Sequence, residues 1–296
     1  MDPLVFVLVA GAAVLHVTWN VLLKTAGEPL QAAAIGLTAG AVIVCPIAVI
    51  VWLADGRPEV PLQTLVLSVV SGVLEAAYFA FLASAYRRGD LSIVYPIARG
   101  SAPLLAVAIG VIVLGERLAL VGSIGVAALL VGILALQRPW QYLRAAGREG
   151  GGAAGFALLT GVTIAAYSAV DSVAVKGTTP LTYAGLIWIS GIAFVWAFYA
   201  VYRARRAGEA ATWSRSAIGR AAMGGVITLG AYLMILGAYR VAPLTAVAPL
   251  RESAIVLASG WGAFRLGEAS DRREAYRRIG AAALVLLGAI LLAFNR

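Results

Sequence analysis

Residues 85–116 read AYRRGDLSIVYPIARGSAPLLAVAIGVIVLGE, and residues 238–268 read AYRVAPLTAVAPLRESAIVLASGWGAFRLGE. One gap opened after Pro96 brings the two stretches into register. The agreement predicts a chain built from two related halves. The matched pairs are Tyr86 with Tyr239, Arg87 with Arg240, Pro96 with Pro249, Arg99 with Arg251, Ser101 with Ser253, Ala102 with Ala254, Gly115 with Gly267 and Glu116 with Glu268.

The composition around these stretches is that of a membrane protein. Of 296 residues, 61% are hydrophobic and 12% charged, whereas soluble domains carry about 25% charged residues. Apolar runs long enough for helical spans, about 17–25 residues each, recur along the chain. We predict ten spans, at residues 3–23, 30–53, 62–86, 91–114, 118–136, 153–175, 181–202, 221–239, 243–264 and 277–294.

The spans divide into two units of five. Residues 1–137 form the first repeat, 138–152 the loop between repeats, and 153–296 the second repeat. Because five is odd, the second unit begins on the side of the membrane where the first ended. The predicted fold is therefore an all-α membrane protein with ten transmembrane helices in two inverted five-helix repeats. Secondary transporters often have this plan, with a polar site near the midplane.

Basic residues predict an orientation. Loops after odd-numbered spans carry 16 Lys and Arg and the opposite side carries 5, and the remaining two are Arg99 and Arg251. The positive-inside rule then places the odd-numbered loops in the cytoplasm and both termini outside. The net charge of +9 is explained by this bias without nucleic-acid binding. The first span has no basic region before it, so we expect a retained helix.

The chemistry available to an enzyme is sparse. Cys45 is the only cysteine, which excludes an internal disulfide and a multi-cysteine metal site. One histidine and one cysteine offer few nucleophile and base pairs, and the sequence contains no phosphate-binding loop or metal-ligand motif. We therefore expect a protein that is not an enzyme and that holds no cofactor and no metal.

Two further motifs identify a family. The first span contains Leu15-His16-x-x-Trp19-Asn20-x-x-x-Lys24, and the fourth span of each half contains proline and ends in Leu-Gly-Glu. With the ten spans in two units, the whole chain resembles the EamA family of the drug/metabolite transporter superfamily. The resemblance implies transport of a small metabolite through a central cavity lined by both halves, without ATP hydrolysis. It also implies cytoplasmic termini, opposite to the orientation that the basic residues predict.

Arg99 and Arg251 are the leading candidates for binding substrate. Each lies eight residues into an apolar span, about 12 Å of axial rise. A charge near the bilayer centre costs about 2.5–3.5 kcal/mol and usually marks a functional site, and the planar guanidinium suits carboxylate or phosphate oxygens. The alternative is equally open: Glu252, Glu75 or backbone carbonyls hold the arginines. Glu252 is matched by Gly100 in the first half, so the predicted site is asymmetric.

Other polar residues in the spans have competing interpretations. Glu75 shares a helix face with Tyr78 and could bind a substrate amine, carry a coupling proton or neutralise an arginine. His16, Trp19 and Asn20 share a face of the first span, where histidine could relay protons or simply be hydrogen-bonded within the bundle.

The sixth span presents a similar choice. Tyr167 and Asp171 are four residues apart and face the same way. Asp171 lies close to the end of the span. It is interpreted either as a residue that faces a substrate amine or carries a proton, or as an interfacial anion or a partner of Lys176.

The complete candidate set follows from these positions. The substrate-binding candidates are Arg99, Arg251, Glu75, Tyr78, Tyr95, Trp19, Asn20 and Tyr167, and the proton-coupling candidates are His16, Glu75, Asp171 and Glu252. Two groups are interpreted as structural. Glu116 and Glu268 are expected near the N-terminus of the helix that follows each, and Gly72, Gly110, Gly125, Gly132 and Gly161 are expected to pack helices closely.

The leading hypothesis is a secondary transporter of a small anionic or zwitterionic, amino-acid-like metabolite. The main alternative is an exporter of organic cations, in which Glu75 supplies the charge and aromatic rings stack on the ligand. A passive channel or a membrane enzyme explains the duplicated midplane charges less well. The expected partners are a small-molecule substrate and the lipid bilayer, with no nucleic acid. We expect a monomer or homodimer in a bacterial plasma (inner) membrane.

Overall fold

The computed structural model describes residues 1–24, 28–88, 91–141, 152–205, 214–252 and 272–294. Helices account for nearly all of these residues, and the described part contains no strand. A short 3₁₀ turn, Val175–Gly177, follows the sixth helix. The α-helices are α1 (Pro3–Lys24), α2 (Pro29–Ala54), α3 (Leu62–Tyr86), α4 (Leu91–Ile112), α5 (Leu120–Gln137), α6 (Gly152–Ala174), α7 (Pro180–Ala204), α8 (Arg215–Val241), α9 (Leu244–Glu252) and α10 (Arg272–Ala293).

Each of these helices overlaps one predicted span. Helices α8 and α10 begin six and five residues earlier than expected, at Arg215 and Arg272. Helix α9 is described only to Glu252, so the rest of the ninth predicted span lies outside the described residues.

Five of the described helical segments are long and apolar enough to cross a membrane: α2, α3, α6 with its 3₁₀ turn, α7 and α8. Shorter apolar stretches occur in α1, α4, α5 and α10. The outer surface is apolar as well, since Val42, Ile43, Ile47 and Ile50 of α2 are 40–70% exposed. These features confirm an all-α, multi-pass membrane protein. The ten spans and their inverted repeat stay a prediction.

The second helix of each half, α2 or α7, starts in the same way. Glu28 precedes Pro29 of α2, and its Oε2 accepts a hydrogen bond from the backbone N–H of Gln31 at 2.7 Å. Thr179 precedes Pro180 of α7, and its Oγ1 accepts from the N–H of Thr182 at 3.1 Å. A capping oxygen followed by proline at the first helical position favours helix initiation.

The core lies between the two halves of the chain. Helix α1 packs on α8, α2 on α7 and α8, α3 on α6 and α7, α4 on α6 and α9, and α5 on α10. The same contacts recur when each helix is exchanged for its counterpart in the other half, five places away in chain order. The contact of α1 with α8 then corresponds to that of α6 with α3, and the contact of α2 with α8 to that of α7 with α3. The partners are antiparallel where glycines mark the contact, because Gly125 of α5 faces Gly288 of α10 whereas Gly132 faces Ala281.

The prediction that small residues bring the helices together is confirmed. A Cβ atom added to any of the five predicted packing glycines would lie 2.1–2.9 Å from an atom of another helix or of the following turn. Such distances are too short for a side chain, so these glycines permit the close helix crossings. The five residues are Gly72, Gly110, Gly125, Gly132 and Gly161.

The predicted position of Glu116, beside the N-terminus of the next helix in the chain, is wrong. Glu116 does not cap α5, the next helix in the chain. Its Oε1 and Oε2 accept hydrogen bonds from the backbone N–H groups of Leu244 and Thr245, each at 2.8 Å. Helix α4 packs on α9, and the antiparallel arrangement brings the end of α4 to the free N–H groups at the start of α9. The role remains structural, but it joins the two halves. Glu268 lies outside the described residues.

Candidate functional site

A single carboxylate links the two predicted arginines. Oε1 of Glu252 lies 3.0 Å from Nη1 of Arg99 and 3.3 Å from Nε of Arg251. The three residues are only 3–7% exposed. Arg99 is on α4 and the other two are on α9, so the ion pair crosses between the halves. Glu252, one of the protein partners considered from the sequence, thus contacts both arginines.

The two guanidinium groups share this carboxylate, and Arg251 also contacts a neutral side chain. One carboxylate faces two guanidinium groups, and the second contact of Arg251 is neutral: its Nη1 donates to Oγ of Ser168 at 3.3 Å. A buried charge is stable only with close, hydrogen-bonded partners.

Asp171 forms a second polar centre, which we call the Asp171 cluster: Asp171, Ser71, Tyr183 and Tyr232. Oδ1 of Asp171 accepts hydrogen bonds from Ser71 at 2.6 Å and Tyr183 at 2.9 Å, and Oδ2 accepts from the hydroxyl of Tyr232. Asp171 is 1% exposed. The cluster joins α3, α6, α7 and α8, so the interpretation of Asp171 as an interfacial anion is wrong.

Glu75 lies close to both centres. It is 6% exposed and lies near Tyr232, Asp171 and Arg251. The described buried charges are thus Arg99, Arg251, Glu75, Asp171 and Glu252. Acidic residues outnumber arginines in this set.

Aromatic rings connect these centres across the bundle. The ring centroids of neighbouring members are 4.8–6.5 Å apart, a range typical of favourable aromatic pairs. The run crosses α1, α3, α6, α8 and α7. In spatial order its members are His16, Trp19, Phe79, Tyr78, Tyr167, Tyr232 and Trp188.

Two cavities flank this run of rings. The first is lined by Arg99, Tyr78, Leu82, Tyr86 and Ile164, among others. The second is lined by residues of α1, α2, α3, α7 and α8. We call them the arginine cavity and the tryptophan cavity.

Both cavities lie toward the side of the odd-numbered loops. The arginine cavity includes Tyr86 at the end of α3, and the tryptophan cavity includes Arg220 near the start of α8. At the same end of the bundle, Arg87 lies 3.1 Å from Glu28 and stacks over Tyr202 near the end of α7. The Asp171 cluster lies farther toward the opposite side, near the end of α6 and the start of α7.

The structure brings most of the candidate residues together but divides them between cavities. Arg99 and Tyr78 line the arginine cavity, whereas Trp19 lines the tryptophan cavity. The other described candidates are in the core between or beside them: Arg251, Glu252, Glu75, Tyr167, Asp171 and His16. The side chains of Asn20 and Tyr95 lie outside the described part.

Sequence reasoning missed the neutral partners of the charged residues. Ser71, Tyr183 and Tyr232 hold Asp171, and Ser168 contacts Arg251. The internal repeat offers one signal that could have found Ser168. Arg99 and Arg251 are separated by the same number of residues as Lys24 and Lys176. Extending this register matches His16 with Ser168 and Trp19 with Asp171, which places Ser168 and Asp171 in the second half's counterpart of the first-span motif.

The fold is that of an integral, multi-pass membrane protein with a buried polar site. Residues 4–137 match the model of the EamA-like transporter family. This match over residues 4–137 confirms the predicted EamA family.

Comparison with other proteins adds support for the fold. No curated protein matches the sequence. Among solved structures, one described only as "Crystal structure of protein" has a TM-score of 0.68 and 18% sequence identity, covering 98% of this chain and 97% of its own. At this identity the similarity is evidence for the fold alone.

Proposed function

We propose that this protein is a secondary transporter that moves a small anionic or zwitterionic, amino-acid-like metabolite through a cavity between its two halves. The observation that carries the proposal is the position of Arg99. It lines a cavity on one side and contacts Glu252 on the other. A substrate carboxylate entering the arginine cavity would meet a guanidinium whose charge Glu252 shares with Arg251.

The chemistry of the arginine cavity fits an amphipathic substrate. Arginine provides donors in a planar fork that matches a carboxylate or phosphate. Leu82 and Ile164 provide apolar wall, and Tyr78 provides an aromatic ring with a polar hydroxyl. Glu75, near Asp171 and Arg251, is the candidate for a substrate amine or a coupling proton. His16, Asp171 and Glu252 remain the other proton-coupling candidates.

Alternating access by two inverted five-helix repeats is the proposed mechanism. Its support is the packing pattern that repeats when each helix is exchanged for the one five places away. Further support is that both cavities lie toward one side, whereas the Asp171 cluster joins four helices toward the other. Rocking one half against the other would open the second side and close the first.

A second candidate function is export of organic cations. The observation that favours it is the excess of acids among the described buried charges, with Glu75, Asp171 and Glu252 against Arg99 and Arg251. Aromatic faces beside carboxylates bind cations well. Protection of cells against a cationic dye by the native protein but not by Glu75→Gln would favour this function, and retained protection in Glu75→Gln would exclude that role for Glu75.

The surroundings of the protein are part of the proposal. We place it in a bacterial plasma membrane as a monomer or homodimer, with the odd-numbered loops in the cytoplasm, because these loops carry most of the basic residues. A C-terminal reporter that is active only in the cytoplasm should then remain silent. An active reporter would place the termini inside, as the family resemblance implies.

The direct test begins with a ligand screen of the purified protein. Amino acids, phosphonates, sugars and amines are ranked by the rise in melting temperature, and the best compound is then assayed for uptake into proteoliposomes. Arg99→Ala and Arg251→Ala should each abolish uptake, whereas Arg215→Ala, an exposed arginine at the start of α8, should not. Unchanged uptake in both core variants would remove the arginines from the mechanism.

A further inference from the structure

The outer end of the arginine cavity lies where the end of α3 meets the start of α6. Tyr86 of α3 and Thr160 of α6 both line the cavity. Arg88 follows Tyr86 by two residues, and Phe156 precedes Thr160 by four. Because α3 ends and α6 begins on the side of the odd-numbered loops, both residues lie beyond the lining on that side. The two helices belong to different halves, so a contact between these residues spans the outer end of the cavity.

Arg88 and Phe156 make this contact. The guanidinium carbon of Arg88 lies 4.5 Å from the centroid of the Phe156 ring, and its Nη1 donates to the backbone carbonyl oxygen of Ser84 at 2.9 Å. Phe156 also lies against Phe81 of α3, with ring centroids 6.3 Å apart. The Arg88–Phe156 stack thus joins α3 to α6 immediately outside the cavity.

A metabolite cannot enter the cavity while this stack is formed. In this conformation the cavity has room for about one water, so α3 and α6 must move apart before a larger molecule reaches Arg99. Arg88 is exposed, and a cation–π contact at an exposed site is weak. The Arg88–Phe156 stack can therefore open without unfolding either helix.

The charge of Arg88 has no acidic partner within the part of the chain that the structure describes. Its neighbour Arg87 lies 3.1 Å from Oε1 of Glu28, whereas the described contacts of Arg88 are a carbonyl oxygen and a ring. A guanidinium has five N–H donors, so most of the planar fork is left for a carboxylate or phosphate. Positive charge at the entrance of a cleft attracts anions and repels cations.

The second half of the chain has no equivalent of this charge. The register that matches Arg87 with Arg240 places Val241 at the position of Arg88. Val241 ends α8 just as Arg88 follows the end of α3. The helix packing that recurs in the two halves thus does not require an arginine here, and the charge of Arg88 acts on the side of the odd-numbered loops.

We propose that the Arg88–Phe156 stack is a gate at the outer end of the arginine cavity, and that Arg88 selects anions there. When α3 and α6 part, the guanidinium leaves the ring and binds the anionic group of an entering molecule before that group reaches Arg99. Phe156 holds the gate shut when no anion is present. Because the arginine cavity is then the path of the anion, this role of Arg88 rests on the proposed function.

Access to the cavity can be measured without transport. Leu82 lines the cavity and is 7% exposed, and Leu82→Cys combined with Cys45→Ser gives a protein with a single thiol. The full-length protein in nanodiscs is treated with two methanethiosulfonate reagents, the anionic 2-sulfonatoethyl and the cationic 2-(trimethylammonio)ethyl compounds. The ratio of the anionic to the cationic modification rate reports charge selection at the entrance.

Removing the charge of Arg88 should lower this ratio. We expect Arg88→Gln to lower it about threefold at about 0.05 M salt, because one charge acts oppositely on the two reagents. The difference should vanish near 1 M salt, where the Debye length is about 3 Å. Arg88→Lys should keep the ratio, and so should Arg215→Gln, which removes an exposed arginine from a helix that does not line the cavity. A ratio unchanged in Arg88→Gln, or lowered equally in Arg215→Gln, would overturn the selection of anions.

Removing the ring of Phe156 tests the gate. Phe156→Leu should raise both modification rates about twofold to fivefold, the range for losing a cation–π contact at an exposed site. Phe294→Leu, at a ring that is 73% exposed just after α10, is the matched control. Rates unchanged in Phe156→Leu, or a thiol that reacts in neither protein, would overturn the gate. Uptake that survives Arg99→Ala would instead count against the proposed function, so the two can fail separately.

Discussion

Gly225 of α8 lies directly against the backbone of Gly36 of α2. A Cβ atom at Gly225 would come within 2.0 Å of the carbonyl oxygen of Gly36. The two helices belong to different halves of the chain and enclose the tryptophan cavity. Their backbones therefore meet where neither helix has a side chain, and the contact sets the separation of the halves at this point.

Replacing Gly225 with alanine should force α2 and α8 apart. The methyl group has backbone as its nearest neighbour, which cannot rotate away, so we expect a loss of stability of about 1–3 kcal/mol. Thermal unfolding in detergent measures it. Gly219→Ala is a matched control on the same helix, because nothing lies within 4 Å of the added methyl group, and it should melt at or above the native temperature. Equal melting of both variants would contradict this contact.

Replacing Glu116 with glutamine should weaken the junction between α4 and α9. The charged carboxylate accepts from Leu244 and Thr245 at a helix N-terminus, where a negative charge is favourable. We expect a loss of about 0.5–2 kcal/mol, the range for helix caps. Glu59→Gln, in an exposed loop, should have no effect on unfolding. A Glu116→Gln protein as stable as the Glu59→Gln protein would show that the cap is unimportant.

Removing the hydroxyl of Tyr183 should destabilise the Asp171 cluster. Tyr183→Phe deletes one donor to a fully buried carboxylate, and hydrogen bonds to charged groups contribute about 1.5–3 kcal/mol. Tyr199→Phe on the same helix is the control, since the described contact of Tyr199 is between its ring and that of Trp196. Denaturation midpoints compared across the two variants check the prediction, which fails if they shift equally.

Neutralising Glu252 should be far more harmful than neutralising Glu28. Glu252→Gln leaves Arg99 and Arg251 without their shared anion, and breaking a buried ion pair costs about 3–5 kcal/mol. Glu28 pairs with Arg87 at 3.1 Å, but both are about one-fifth exposed, so Glu28→Gln should cost at most about 1 kcal/mol. Unfolding of both variants is measured in the same detergent. Similar losses would contradict the importance of burial.

Substrate should partly rescue the Glu252→Gln variant if the proposed function is correct. A bound carboxylate would replace the missing anion between the arginines, so the transported anion should raise the melting temperature of the variant more than that of the native protein. A neutral amide of the same compound is the control. A smaller rise in the variant than in the native protein would argue against binding at the arginines.

The spans and the arginines were predictable for a local reason. Transfer of a helix into a bilayer depends on its own side chains. Apolar runs such as those of α2 and α7 can therefore be recognised from the sequence alone. The match of Arg99 with Arg251 depends only on aligning two stretches of one chain. Neither observation requires knowledge of which helices touch.

The partners of the charged residues could not be predicted in this way. Asp171 contacts Ser71 and Tyr232, which are 100 and 61 residues away in the chain. Glu116 was expected at the next helix because sequence proximity was the only available guide, yet it binds α9 instead. Such pairings depend on the order in which helices pack, which side-chain polarity alone leaves undetermined.

The sequence by itself determined the membrane class, the duplication and the presence of two costly charges inside apolar spans, because hydrophobicity and repetition are properties of the chain. Only the tertiary structure decided that Glu252 serves both arginines, that Asp171 is held by hydroxyls of three other helices, and that Tyr78 and Phe79 separate two cavities. The physical reason is that hydrogen bonds and ion pairs act over about 3 Å, and only packing brings distant residues within that range.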